Sequence, residues 1–136
     1  MDYYKLSEEP LQAALSNNEQ GLYRMSVSMS TLAIDLLLKS VLYRIEPTHD
    51  LMMGHNHAGI VTFIEKTYPK KESVRQAAKM SRKYFKDSRY SRAENLAAFT
   101  EEMADNFINY TMLIKSYVDN DCQATLEDLK KKFNKP

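Results

Sequence analysis

The sequence predicts an all-α fold, an up-and-down bundle of about five helices with two long central ones, in a single domain spanning residues 1–136. Three observations lead there. A chain of 136 residues with 43% hydrophobic content can close one core and has the usual size of one domain. Three glycines and four prolines are too few for the many tight turns of a sandwich or barrel. Apolar residues also recur at three- and four-residue spacing along most of the chain, in a composition rich in Leu, Met, Ala, Glu, Lys and Gln.

In the first helix Ser7 serves as N-cap, with Glu8, Glu9 and Pro10 in the first turn, where acids and proline are favourable. It is expected to run to about Ser16 and to break at Asn17 and Asn18. The second, central helix carries Leu22, Met25, Met29, Leu32 and Leu36 and extends to about Tyr43. Over residues 31–43 apolar side chains occupy almost its whole circumference, which implies burial on more than one side and a partner surface. The exception is a polar stripe of Arg24, Ser28, Thr31, Asp35 and Lys39 on one face, with Asp35 and Lys39 placed to pair.

Pro47 ends this helix, and residues 44–56 form a loop that holds His49 and His55, with His57 just after it. His57, Ile60, Val61, Ile64 and Tyr68 mark a third helix, stopped by Pro69. Val74, Ala77, Ala78, Ser81 and Phe85 mark the inner side of a fourth, whose outer side is basic. Residues 87–91 break the pattern before a long fifth helix bearing Leu96, Phe99, Met103, Phe107, Tyr110, Ile114 and Tyr117. Thr125 and Asp128 resemble a capping box for a short last helix over about 125–133, outside a core of about 7–118.

The net charge of +1 hides a polarised chain. Residues 70–92 hold nine basic residues against two acidic ones, or +7, and the remainder holds ten basic against sixteen acidic, or −6. The lone Cys122 can form no internal disulfide. The first residues do not read as an export leader, and no apolar run approaches the about 18 residues of a membrane span. A reducing, cytoplasmic setting without a membrane is the expectation.

Four features in order resemble the HEPN family, helical bundles associated with nucleotides and nucleic acids. They are Asp35 and Lys39 four residues apart in the long second helix, the turn of Pro47, His49, Asp50 and Leu51, the turn of Ser88, Arg89 and Tyr90, and the long closing helix from about Arg92. The resemblance covers roughly residues 11–118. It implies a dimer formed by helix packing, and either a small nucleotidyltransferase partner, a role in a toxin–antitoxin pair, or binding of a nucleotide or RNA. It also implies, as an alternative, a metal-independent ribonuclease, because catalytic members pair an arginine with a histidine four to six residues on. Arg44 and His49 fit that spacing, the arginine to stabilise a strained phosphate and the histidine to move a proton. The family's pair lies near the last long helix, however, and there the present chain has no histidine.

Binding is therefore the expected function, through a basic face of Arg75, Lys79, Arg82, Lys83 and Lys86 that Arg89 extends, with Tyr90 able to stack on a base. An acidic protein surface would suit the same cations. Lys39 is read either as half of a structural ion pair or as a phosphate ligand in a groove lined by Arg24, Ser28 and Thr31. His49, His55 and His57 with Asp50 offer imidazole and carboxylate donors but match no metal-ligand spacing, so neither metal nor other cofactor is expected. A purely structural dimerisation protein is the remaining alternative.

Overall fold

The computed structural model describes residues 1–90 and 98–123, with Tyr90 described in its backbone alone. The helices run in the order α1 (Tyr3–Glu19), α2 (Tyr23–Ile45), α3 (His57–Ile64), α4 (Glu72–Tyr90) and α5 (Glu101–Asn120), with a short 3₁₀ turn over Asp50–Met52. Arg92, Leu96 and the expected short helix at 125–133 lie outside the described residues.

Helix α1 begins one turn earlier than Ser7. The Asp2 carboxylate accepts the Lys5 N–H at 2.9 Å and caps it. Ser7 and Pro10 are then interior and buried, and Ser7 Oγ donates to the Tyr4 carbonyl at 2.5 Å. The helix also passes through Asn17 and Asn18. It stops at Gln20 and Gly21, where a φ of 75° admits glycine without strain and reverses the chain into α2.

Helix α2 is the axis of the bundle and packs against α1, α3, α4 and α5. Its fully buried residues include Val27, Ala33, Ile34, Leu37, Leu38, Val41 and Leu42. Ile34, Leu37, Leu38, Val41 and Leu42 join Ile60, Val61 and Ile64 of α3, Val74, Ala77 and Ala78 of α4, and Ile114, Tyr117 and Val118 of α5, while Val27 packs with Phe99 and Phe107 in a second cluster. By length and composition α2 could cross a membrane, but 72% of its most apolar 18-residue stretch is buried inside the bundle, as in the core helix of a globular protein. The stripe that marked it in sequence is not this core. Leu22 is 45% exposed and Met25 44%, while Met29, Leu32 and Leu36 are only partly buried.

Helix α3 starts from Asn56, whose side chain accepts the Gly59 N–H at 2.9 Å. A Cβ on Gly59 would lie 2.6 Å from the Asn56 amide, so glycine keeps this cap tight. Helix α4 does not break at Asp87 but continues to Tyr90, which keeps Ser88 and Arg89 inside it. Thr100 caps α5 by accepting the Met103 N–H at 3.2 Å, ahead of Glu101 and Glu102 in the first turn.

Candidate functional site

The polar stripe of α2 lies at the junction of α2, α3 and α4 and divides into two parts. Its first part fastens α4. Arg24 donates to the Ser88 carbonyl at 2.7 Å, and Arg89 donates to the Ser28 carbonyl at 2.9 Å, to Thr31 Oγ1 at 3.0 Å and to the Phe85 carbonyl at 2.6 Å. The expected groove along Arg24, Ser28 and Thr31 is thus filled by the last turns of α4. Arg89, expected to extend the basic face beyond a helix end, turns inward within α4 and also lies 3.8 Å above the Phe85 ring.

The second part centres on Asp35, whose side chain is 3% exposed. Lys39 Nζ lies 2.9 Å from Oδ2, the expected i,i+4 pair, and His57 Nε2 and His55 Nδ1 lie 2.9 and 3.2 Å from Oδ1. Burial pushes the Asp35 carboxyl up, but the His57 hydrogen bond, with the hydrogen bond and charge of Lys39, outweighs it and holds it below its ordinary range. Burial lowers the His57 imidazole, against the opposing pull of Asp35, so His57 stays neutral and donates its Nε2–H to an ionised carboxylate. His55 stacks on Phe85 with ring centroids 3.9 Å apart, and His57 meets the same ring edge-on at 5.5 Å.

Two histidines and a carboxylate can in composition hold a transition metal, and their donor atoms lie within 4.8 Å of one another. Two features oppose this. The Lys39 ammonium already occupies Asp35, and His57 Nδ1 is buried without a hydrogen-bond partner. A metal on Nε2 would move the ring proton to that atom, where no acceptor waits to orient it. The carboxylate beside His55 and His57 is also Asp35 of α2, not Asp50, and His49 is not part of the group.

His49 goes elsewhere. Its Nδ1 accepts the Leu51 N–H at 2.9 Å, capping the 3₁₀ turn, and its ring meets Phe63 at 4.3 Å. Arg44 donates to the Cys122 carbonyl at 2.6 Å and borders a cleft of about 530 Å³ with Tyr3, Tyr4, Ser40 and Tyr43. The two side chains engage different neighbours.

On α4, Lys79, Arg82, Lys83 and Lys86 are exposed. Lys83 lies 5.4 Å over the Tyr84 ring, whereas Lys79, Arg82 and Lys86 have no ion-pair partner among the described residues. Arg75 is engaged differently: its Nε donates to both oxygens of buried Glu65, at 3.0 and 2.7 Å. Arg75 and Lys79 border a cleft of about 280 Å³ with Ala58, Val61 and Thr62. The Tyr90 side chain lies outside the described residues. Sequence reasoning missed the pairing of Asp35 with His55. Its only traces were a carboxylate in the polar stripe and a His-x-His step at a helix start.

A search of curated proteins finds no match. Among solved structures, the crystal structure of TT1696 from Thermus thermophilus is similar, with 16% identity, a TM-score of 0.75, and coverage of 87% of this chain and 94% of that one. At that identity the likeness speaks for the fold. The HEPN domain family model matches residues 1–121, nearly the whole described bundle, and the chain belongs to the HEPN family of nucleotide-binding and ribonuclease-like helical modules.

Proposed function

We propose that the chain is a binding module that takes the phosphates of a nucleotide or RNA on the outer face of α4. The observation that carries this reading is the set of Lys79, Arg82 and Lys86. These three exposed cations sit about one per helical turn and meet no acid among the described residues. An exposed row of uncompensated charge on a rigid, well-packed helix attracts phosphate and releases counterions when it binds. The cleft beside Lys79 gives that row a concave edge. An acidic surface on a nucleotidyltransferase partner would use the same cations.

The experiment is binding of a labelled single-stranded oligoribonucleotide at low salt, for the native chain and for a Lys79→Glu, Arg82→Glu, Lys86→Glu variant. Native binding that weakens steeply with salt and falls by about tenfold or more in the variant supports the proposal. Unchanged affinity in the variant refutes it.

We further propose that two copies pair through the outer side of α2. Leu22, Met25 and Tyr43 are exposed there, and Met29, Leu32 and Leu36 are partly buried between them. Light scattering should find a dimer that Met25→Lys with Leu32→Lys converts to a monomer. A monomeric native chain at micromolar concentration would remove this part.

A further inference from the structure

Helix α4 carries its outer cations in a line that has an end. Arg75, Lys79, Arg82 and Lys86 follow at spacings of four, three and four residues, so their side chains leave one face of the helix. At the N-terminal end of this line, Arg75 and Lys79 border the cleft of about 280 Å³ whose other wall is Ala58, Val61 and Thr62 of α3. The two cations there differ in kind. Lys79 is exposed and meets no acid among the described residues, so it supplies uncompensated charge. Arg75 shares its charge with Glu65, whose side chain is 3% exposed, and the pair of hydrogen bonds from Nε to both Glu65 oxygens fixes the guanidinium. Its two terminal nitrogens donate no hydrogen bond among the described residues, and exposed Glu72 lies 3.8 Å from one of them, beyond hydrogen-bond reach.

We propose that this cleft holds a terminal phosphate monoester, with Arg75 and Lys79 as its donors, at the end of a strand whose phosphodiesters lie along Arg82 and Lys86. The inference rests on the phosphate reading of α4 and names the kind of ligand that reading implies. An open helix face suits a backbone that continues past it, whereas a cleft walled by a second helix stops a chain. At about 280 Å³ the cleft is just below the usual range for whole small molecules, which suits a single charged group. A monoester carries more negative charge at neutral pH than a phosphodiester and presents three strong acceptor oxygens. Arg75 can offer its unused nitrogens to two of those oxygens, while Lys79 balances the added charge.

The test is calorimetric titration with three unlabelled oligouridylates of one length, ending in a 5′-phosphate, in a 3′-phosphate or in hydroxyls at both ends. It is run at low salt and about pH 7.5, where a monoester with a pKa of about 6 is nearly dianionic. One phosphate-ended oligomer should bind about tenfold or more tighter than the hydroxyl-ended one, as charge-assisted hydrogen bonds would give. Which of the two it is gives the direction of the strand along α4. Arg75→Gln should erase that preference. So should Thr62→Glu, which puts a carboxylate in the cleft. Thr62 is exposed and takes no part in the Glu65 pair, so this variant tests the cleft even where Arg75→Gln lowers stability. Arg82→Gln with Lys86→Gln should weaken binding of all three oligomers alike and leave their ratio unchanged. Equal affinity of the native chain for the three, with salt-sensitive binding intact, overturns the inference and leaves the α4 reading standing. A preference that survives in Arg75→Gln or Thr62→Glu overturns it as well, and no binding of any oligomer refutes both.

Discussion

On the inner side of α4 the Arg89 guanidinium is engaged by Ser28, Thr31 and Phe85, whereas on the outer side Lys79, Arg82 and Lys86 meet no acid among the described residues. Both groups come from the one run of basic residues at 70–92. The difference teaches that a cation count in sequence measures charge, while the helix phase of each residue decides whether that charge holds the fold or faces a ligand. Asp35 and Lys39 extend the same contrast, because their ion pair is buried where the α4 row is solvated.

The largest way to break this contrast is Asp35→Ala. It leaves the Lys39 ammonium and the His57 N–H buried without their acceptor, and should cost about 3–5 kcal/mol in urea unfolding. A cost below about 1 kcal/mol would show that the pair is not buried as described. Arg89→Ala comes next, at about 1.5–3 kcal/mol for lost charged hydrogen bonds between α4 and α2. If Arg89 is a ligand residue instead, its variant will lose binding with stability unchanged.

Reversing Lys79, Arg82 and Lys86 together should move the other quantity. Oligoribonucleotide affinity should fall by about tenfold or more at low salt, and the salt slope should shrink by roughly 0.7 per lost contact, with stability altered by no more than about 0.5 kcal/mol. His49→Ala should have the smallest effect, about 1 kcal/mol or less from the lost cap on the 3₁₀ turn. Loss of a metal-independent ribonuclease activity in that variant would instead favour the pairing of Arg44 with His49.

Acid sharpens the same comparison. His57 is lowered from 6.5 by burial, so its contribution is complete above that pH and is lost as pH falls through its folded value. Asp35 is lowered from 3.8, so its contribution is complete above that value and is lost further into acid. Melting temperature should decline on acidification, beginning below about pH 6.5 and continuing below about pH 4. A plateau down to pH 4 would contradict a buried neutral His57.

Much of the architecture was legible because burial imposes a period. Val74, Ala77, Ala78 and Ser81 face inward as their spacing demands, and so do Phe107, Ile114 and Tyr117. Element ends were harder. Asp87, Ser88 and Arg89 resemble a turn in isolation, yet the bonds from Arg24 and Arg89 hold α4 helical through them. Helix α2 misled most, because Met25, Leu32 and Leu36 repeat at helical spacing on the side that the core does not use. Asp2 caps α1 although Ser7, followed by Glu8, Glu9 and Pro10, carries the fuller local signal of a helix start.

The sequence by itself determined the helical class, the order of the helices, the Asp35–Lys39 pair and the concentration of positive charge at residues 70–92, because periodicity, i,i+4 contact and charge are local properties of the chain. Tertiary structure alone decided which cations meet no acid among the described residues, that His55 and His57 meet Asp35 across 20 and 22 residues, and that His49 does not join them. Those contacts arise where separate segments of the chain meet, and no local spacing encodes the meeting.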